Sequence, residues 1–166
     1  MTAPAPLNRL FISWEQLERD AKALAAKLQS EKKWKGIVAV ARGGLVPATI
    51  IARALDIILF ETVIMSGYKL GSGAHEGQAE PKIIKAPVDV GDGEGWLVID
   101  DLAATGRTGK VLHQLMPKAH FAAIYVKPTG KASIDSYLTE ISQDTWIYLP
   151  WYDELQFKHP ISLTTV

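Results

Sequence analysis

LVIDDLAATGRT, residues 97–108, is an apolar run that ends in two adjacent acids and opens into a loop of small and hydroxyl residues. The run Leu97 to Ile99 reads as the end of a buried strand, and TGKVLHQLM (108–116) as the helix after it. In an open parallel sheet, ligands gather in the crevice beyond the carboxyl ends of the strands. Asp100 and Asp101 are placed at such an end. The loop behind them feeds a helix whose first N–H groups have no partner inside the helix. Thr105, Gly106 and Thr108 offer hydroxyls and close backbone approach, and Arg107 offers a bidentate contact. That combination cradles a phosphate at a helix N-terminus. A phosphate alone does not call for two acids beside it. They suit a ligand that also carries hydroxyls or a divalent cation, because a carboxylate accepts from a sugar diol and helps to hold Mg²⁺. A ribose 5-phosphate meets both demands. An isolated Asp-Asp pair is more commonly one helix cap and one solvated charge. The apolar strand before this pair and the Thr-Gly-x-Thr turn after it favour the ligand.

Outward from this segment, strands and helices alternate. SWEQLERDAKALAAKLQ reads as an amphipathic helix, with Ser13 as N-cap and Gln16 as its capping-box partner. Leu17, Ala21, Leu24 and Leu28 form its apolar stripe. GIVAVA (36–41) is a strand, RGG breaks it, and LVPATIIARAL is the next helix. ETVIMS (61–66), WLVID (96–100) and HFAAIYVK (120–127) are further strands, and GDGEG (91–95) is a tight turn. Residues 1–10 are Pro- and Ala-rich and read as a loose arm. GYKLGSGAHEGQAE (67–80) holds four glycines without apolar periodicity and reads as a mobile loop, long enough to suggest function. DTWIYLPW, in the last part of the chain, is aromatic and turn-rich rather than another strand–helix unit. The alternation implies an α/β fold with a mostly parallel central sheet and right-handed crossovers.

The 166 residues suggest one domain, residues 1–166, with a real core. Apolar residues are 48% and charged residues 22%, an ordinary globular composition. Formal net charge is zero, which gives no global drive toward nucleic acid or an anionic membrane. The absence of cysteine excludes disulfides and thiolate chemistry and fits a reducing compartment. MTAPAPLNRL has neither the basic start nor the apolar stretch of a signal peptide, so a cytoplasmic location is expected. The four histidines lack metal-ligand spacing.

The segment around Asp100 resembles the phosphoribosyl diphosphate signature of type I phosphoribosyltransferases: an apolar strand, two acids, small residues, then a Thr-Gly-rich turn. GIVAVARGGLVPA, VIDDLAATGRT, PKAHFAAIYVKP and QDTWIYLPW resemble, in this order, the 6-oxopurine branch of that family. The resemblance runs from about residue 12 to 160, and 67–90 is least alike. It implies transfer of the 5-phosphoribosyl group from phosphoribosyl diphosphate to guanine, xanthine or hypoxanthine in purine salvage, with Mg²⁺ required. Arg42, Gly43 and Gly44 would meet the leaving diphosphate, in a turn where the family often has a non-proline cis bond. Asp100, Asp101, Ala103, Ala104, Thr105, Gly106, Arg107 and Thr108 would hold the sugar phosphate, with Asp101 at the metal. Lys127 would read the purine exocyclic oxygen, Trp146 would stack on the base, and the Ile147 backbone would meet its edge, within a small hood spanning about 127–166. Asp100, Asp101 and Lys127 are the catalytic candidates. The resemblance also implies self-association as a homotetramer or dimer and weak contact with the inner membrane face.

Two departures stand out. The family's purine enzymes commonly carry a third acid where this chain has Ala104, placed to exchange a proton with the purine imidazole ring. An Arg for the diphosphate commonly stands where this chain has Ala79, and Lys69, Lys82 or Lys85 are candidate substitutes. Adenine or another heterocycle as acceptor, and a non-catalytic nucleotide-binding regulator, are the alternatives these departures raise. Trp146 as a core residue, and Trp151 and Phe157 as packing or subunit contacts, are the readings without a ligand.

Overall fold

The computed structural model describes residues 8–30, 33–66 and 80–151. In chain order the elements are β1 (Asn8–Phe11), α1 (Trp14–Gln29), β2 (Gly36–Ala41), α2 (Leu45–Ala54), β3 (Leu59–Ser66) and β4 (Lys82–Lys85). They continue as β5 (Trp96–Ala103), α3 (Arg107–Leu115), β6 (His120–Val126), a 3₁₀ turn (Pro128–Ser133), β7 (Ser136–Glu140) and β8 (Thr145–Tyr148). Six strands form the main sheet in the order β4-β3-β2-β5-β6-β7, parallel except for the antiparallel β3–β4 pair. The chain steps outward from β2 to β3 and then returns to the other side of β2 at β5. Strand order therefore reverses between β2 and β5, and a crevice opens at their carboxyl ends.

The strand sequences explain why both faces are covered. Ile37 and Ala39 on β2, Leu97 and Ile99 on β5, and Ala122 and Ile124 on β6 pack with α1 and α2. Val38, Val40, Val98 and Phe121 pack on the other side with Leu112 and Met116, at α3 and its end. Strands buried on two faces read as continuous apolar runs, as GIVAVA does. Helix α1 docks through Leu17, Ala21, Leu24 and Leu28, each fully buried, at roughly 1.5–3 kcal/mol per large side chain. The Tyr125 hydroxyl on β6 donates to the Asp20 carboxylate on α1 at 2.5 Å, which locks the helix to the sheet through a part-buried polar pair.

The Ser13 hydroxyl accepts the Gln16 N–H at 3.2 Å, so the N-cap forms as expected. The Gln16 side chain turns instead to Asp20 and Arg19, and the reciprocal half of the capping box is not made. Residues 8–10 of the expected loose arm belong instead, with Phe11, to β1, which pairs in parallel with β8, placing Arg9 opposite Trp146 and Leu10 opposite Ile147. DTWIYLPW accordingly contains a strand, β8. Strand β5 runs three residues beyond the expected Asp100, because Leu102 and Ala103 still pair with Tyr125 and Val126 of β6. Strand β3 begins two residues early, and Lys127 lies just past β6. The expected mobile loop lies, but for Glu80, outside the described residues, as do Lys69, Ala79 and Phe157.

Candidate functional site

The crevice between β2 and β5 is built from three chain segments. The first is the turn after β2, where the Ala41–Arg42 peptide is cis and Arg42 is exposed. The Gly44 N–H returns to the Val40 carbonyl at 2.8 Å. A side chain at Gly44 would strike the Ile99 and Val40 carbonyls, and one at Gly43 would strike the Asp101 carboxylate. Gly43 and Gly44 thus pack directly against β5, with Gly43 on the Asp101 carboxylate.

The second segment is the end of β5. Asp101 is buried and Asp100 half-buried. Each carboxylate folds back on the chain: Asp100 Oδ1 accepts the Asp101 N–H at 2.9 Å, and Asp101 Oδ1 accepts the Leu102 N–H at 2.7 Å. Burial, and then the neighbouring Asp101 charge, push the Asp100 carboxyl well above the usual carboxylate range. Burial also raises Asp101, against hydrogen bonds that favour its charged form. Two carboxylates kept at this cost want a cation or hydroxyl donors between them.

The third segment is the loop Ala104–Gly106 and the start of α3. Gly106 caps the helix at φ 77°, a left-handed conformation that suits glycine, and no side chain caps the N-terminus. Asp100, Ala104, Thr105, Gly106 and Thr108 line a cavity of about 110 Å³. The 3₁₀ turn supports the loop from behind. Gly130 packs so closely that a Cβ there would overlap the Ala103 carbonyl, and Ser133 lies against both Gly106 and Gly109. Gly109, Gly130 and Ser133 were not singled out from sequence, because a residue chosen for closeness to another backbone leaves no periodic signal.

Beside this loop lies the group named for the base. The Lys127 N–H donates to the Ala103 carbonyl at 3.0 Å, and its ammonium donates to the Gln143 carbonyl at 3.3 Å. Partial burial lowers the Lys127 ammonium from its ordinary value, against the pull of Asp144. Ile147 is buried in the core, while Trp146 and Tyr148 lie half-exposed on the other face of β8. Tyr148 stacks on Phe11 of β1 at 4.7 Å. Trp151 packs on the core beside Trp14, in line with a packing residue. Of the lysines offered for the diphosphate, Lys85 is engaged with Thr62 and Glu61 on β3. Lys82 stands opposite Ser66, at the end of β3 nearest the crevice.

A mostly parallel sheet with reversed strand order, two acids at its switch point and a glycine-capped helix beside them make up an α/β protein with a ligand crevice at its strand ends. Residues 13–158 match the phosphoribosyl transferase domain, and the chain belongs to that family. It is 53% identical over 150 residues to a xanthine-guanine phosphoribosyltransferase of Desulfotalea psychrophila, covering 90% of each chain. It is 49% identical to one from Nitratidesulfovibrio vulgaris, over 90% of this chain and 88% of that one. Among solved structures it is similar to a purine phosphoribosyltransferase from Pyrococcus horikoshii, at a TM-score of 0.73 and 26% identity over 93% of this chain and all of that one.

Proposed function

We propose that this chain transfers the 5-phosphoribosyl group from phosphoribosyl diphosphate to a 6-oxopurine, releasing diphosphate and a nucleoside 5′-monophosphate. The observation that carries the reading is Asp100 sharing one cavity with the Thr105–Gly106 loop and the start of α3, which no side chain caps, while Asp101 beside it faces the Gly43 turn. The first N–H groups of α3, with Thr105, Thr108 and Arg107, receive the 5′-phosphate. Asp100 and Asp101 accept from the ribose hydroxyls, which lowers the cost of burying them charged. Arg42 and the Gly43 backbone face the leaving diphosphate, where negative charge grows as the C1–O bond breaks, and Gly44, its N–H held by the Val40 carbonyl, lets the turn pack close to β5. The same carboxylates lie near the oxocarbenium-like sugar left behind.

No cluster of three metal-ligating side chains occurs among the described residues. A two-carboxylate set suits a cation that takes its remaining oxygens from the substrate, as Mg²⁺ commonly does. Asp101, with Asp100 beside it, would hold Mg²⁺, which when bound supplies positive charge against the diphosphate. Lys127 donates to the purine exocyclic oxygen, Trp146 stacks on the ring and the Ile147 backbone meets its edge. Ala104 cannot exchange a proton with the imidazole ring, so that step falls to water.

The test is product formation from phosphoribosyl diphosphate, Mg²⁺ and, separately, guanine, xanthine, hypoxanthine and adenine. Turnover with at least one 6-oxopurine is expected; none with any base rejects the proposal, and adenine alone selects a different acceptor.

Self-association joins this reading. Ile58 is 88%, Ile84 67% and Val88 55% exposed along the β3–β4 side of the sheet, an apolar edge suited to a second copy. Sedimentation that finds only monomer at assay concentration rejects it. No helix among the described residues is long and apolar enough to cross a membrane. A cytoplasmic location is part of the proposal.

A further inference from the structure

One exposed residue, Gln143, bridges the phosphate loop and the elements named for the purine. Gln143 lies in the turn before β8, far in sequence from the phosphate loop. Its Oε1 accepts the Thr129 N–H at 3.0 Å, in the 3₁₀ turn after β6. Its Nε2 donates to the Ala104 carbonyl at 3.4 Å, across 39 residues of sequence. Its own carbonyl accepts the Lys127 ammonium at 3.3 Å. The two side-chain contacts fix the amide orientation, since a backbone N–H can only donate and a carbonyl only accept. Thr129 precedes Gly130, which presses on the Ala103 carbonyl. Three residues beyond Gln143 stands Trp146.

We propose that Gln143 is a positioning residue, one that holds the Lys127 ammonium, the Ala104 loop and the stem of the Trp146 strand in a single register, so that the base and sugar subsites are aligned together. The inference rests on the proposed transfer reaction. Without the amide, the 143 carbonyl loses its anchor and Lys127, already drawn from solvent, loses a fixed partner. The loop at Ala104 loses its one side-chain tether among the contacts described for the hood. The effect should fall on alignment of the base rather than on the fold, because Gln143 is exposed and outside the core.

The experiment compares wild type, Gln143→Ala and Gln143→Glu for kcat/KM on guanine, the Kd of phosphoribosyl diphosphate with Mg²⁺ measured without purine, and the melting temperature. In Gln143→Ala, kcat/KM on guanine should fall about 5- to 30-fold, which is about 1–2 kcal/mol at 1.4 kcal/mol per decade, the range of one to two neutral hydrogen bonds. The phosphoribosyl diphosphate Kd should stay within about twofold. Gln143→Glu keeps an acceptor for the Thr129 N–H, removes the donor to Ala104 and sets a carboxylate oxygen against that carbonyl, so it should also lose activity on guanine. A guanine kcat/KM within about twofold of wild type in either variant overturns the proposal. So does an equal loss in both substrates with a lowered melting temperature, which would make Gln143 a structural residue. Absence of turnover in the wild type would reject the parent reaction and this inference with it, whereas an active wild type with unaffected variants rejects this inference alone.

Discussion

Replacing Asp101 by Asn should stabilise the ligand-free protein while removing its turnover. Asp101 is 8% exposed, and its Oδ1 holds the Leu102 N–H at 2.7 Å. An Asn amide has the same shape beside Gly43, keeps that acceptor, and turns its NH₂ toward the Asp100 carboxylate. What disappears is the negative charge of buried Asp101, held against half-buried Asp100. Burial holds both carboxyls above the ordinary 3.8, and the Asp101 charge raises Asp100 further. The pair titrates as a unit. A carboxyl raised in the folded state supports folding fully below its unfolded value, and that support is lost as pH rises through the folded value. The penalty is therefore greatest at neutral and alkaline pH. Relief of a buried like-charge pair is worth about 1–3 kcal/mol. At about 2–4 °C per kcal/mol for a domain of this size, the melting temperature should rise by about 2–12 °C at about pH 8. The gain should shrink as pH falls through the raised folded-state values of the pair, since the carboxyl that Asn replaces is then protonated and uncharged. Thermal melts across that range, with the transfer assay on the same samples, make the measurement. A variant no more stable than wild type at the alkaline end, or a gain independent of pH, refutes the assignment of a buried charge cost to this pair.

Ala104→Asp should raise the transfer rate on guanine, with about 10²-fold as the lower end of general acid–base help; an unchanged or lower rate means another group already moves that proton. Trp146→Ala should raise the purine KM about 5- to 150-fold, matching about 1–3 kcal/mol of stacking, and leave that of phosphoribosyl diphosphate nearly unchanged. Equal effects on both would return Trp146 to a packing role. Tyr125→Phe should cost about 1.5–3 kcal/mol in urea unfolding, since it strips the Asp20 carboxylate of a short hydrogen bond; a loss below about 0.5 kcal/mol would show that water replaces it.

The sequence stated the central sheet plainly where one physical demand dominates. GIVAVA and WLVID are buried on both faces, so their apolar runs announce strands, and the helix stripe of Leu17 to Leu28 announces its docking face. It was silent where pairing is long-range. NRLF is an ordinary polar–apolar tetrapeptide, and only its partner β8, at the other end of the chain, makes it a strand. Lys82–Lys85 is likewise too short to register a period and becomes a strand by pairing with β3. In the candidate site, the acids and the Thr-Gly turn were legible because their chemistry is unusual at a strand end. Gly130 and Gln143 were not, because their contacts with the Ala103–Ala104 backbone depend on how two remote turns fold together.

The ribbon of β1 and β8 stands apart from the six-stranded sheet. Its outer face carries the aromatic rings, and its inner face plugs into the hydrophobic interior through Leu10 and Ile147. In the proposed reaction the acceptor leans on Trp146 of this ribbon and the donor on the end of β5 in the main sheet, so the two halves of the site are carried by separate sheets that side chains and turns connect.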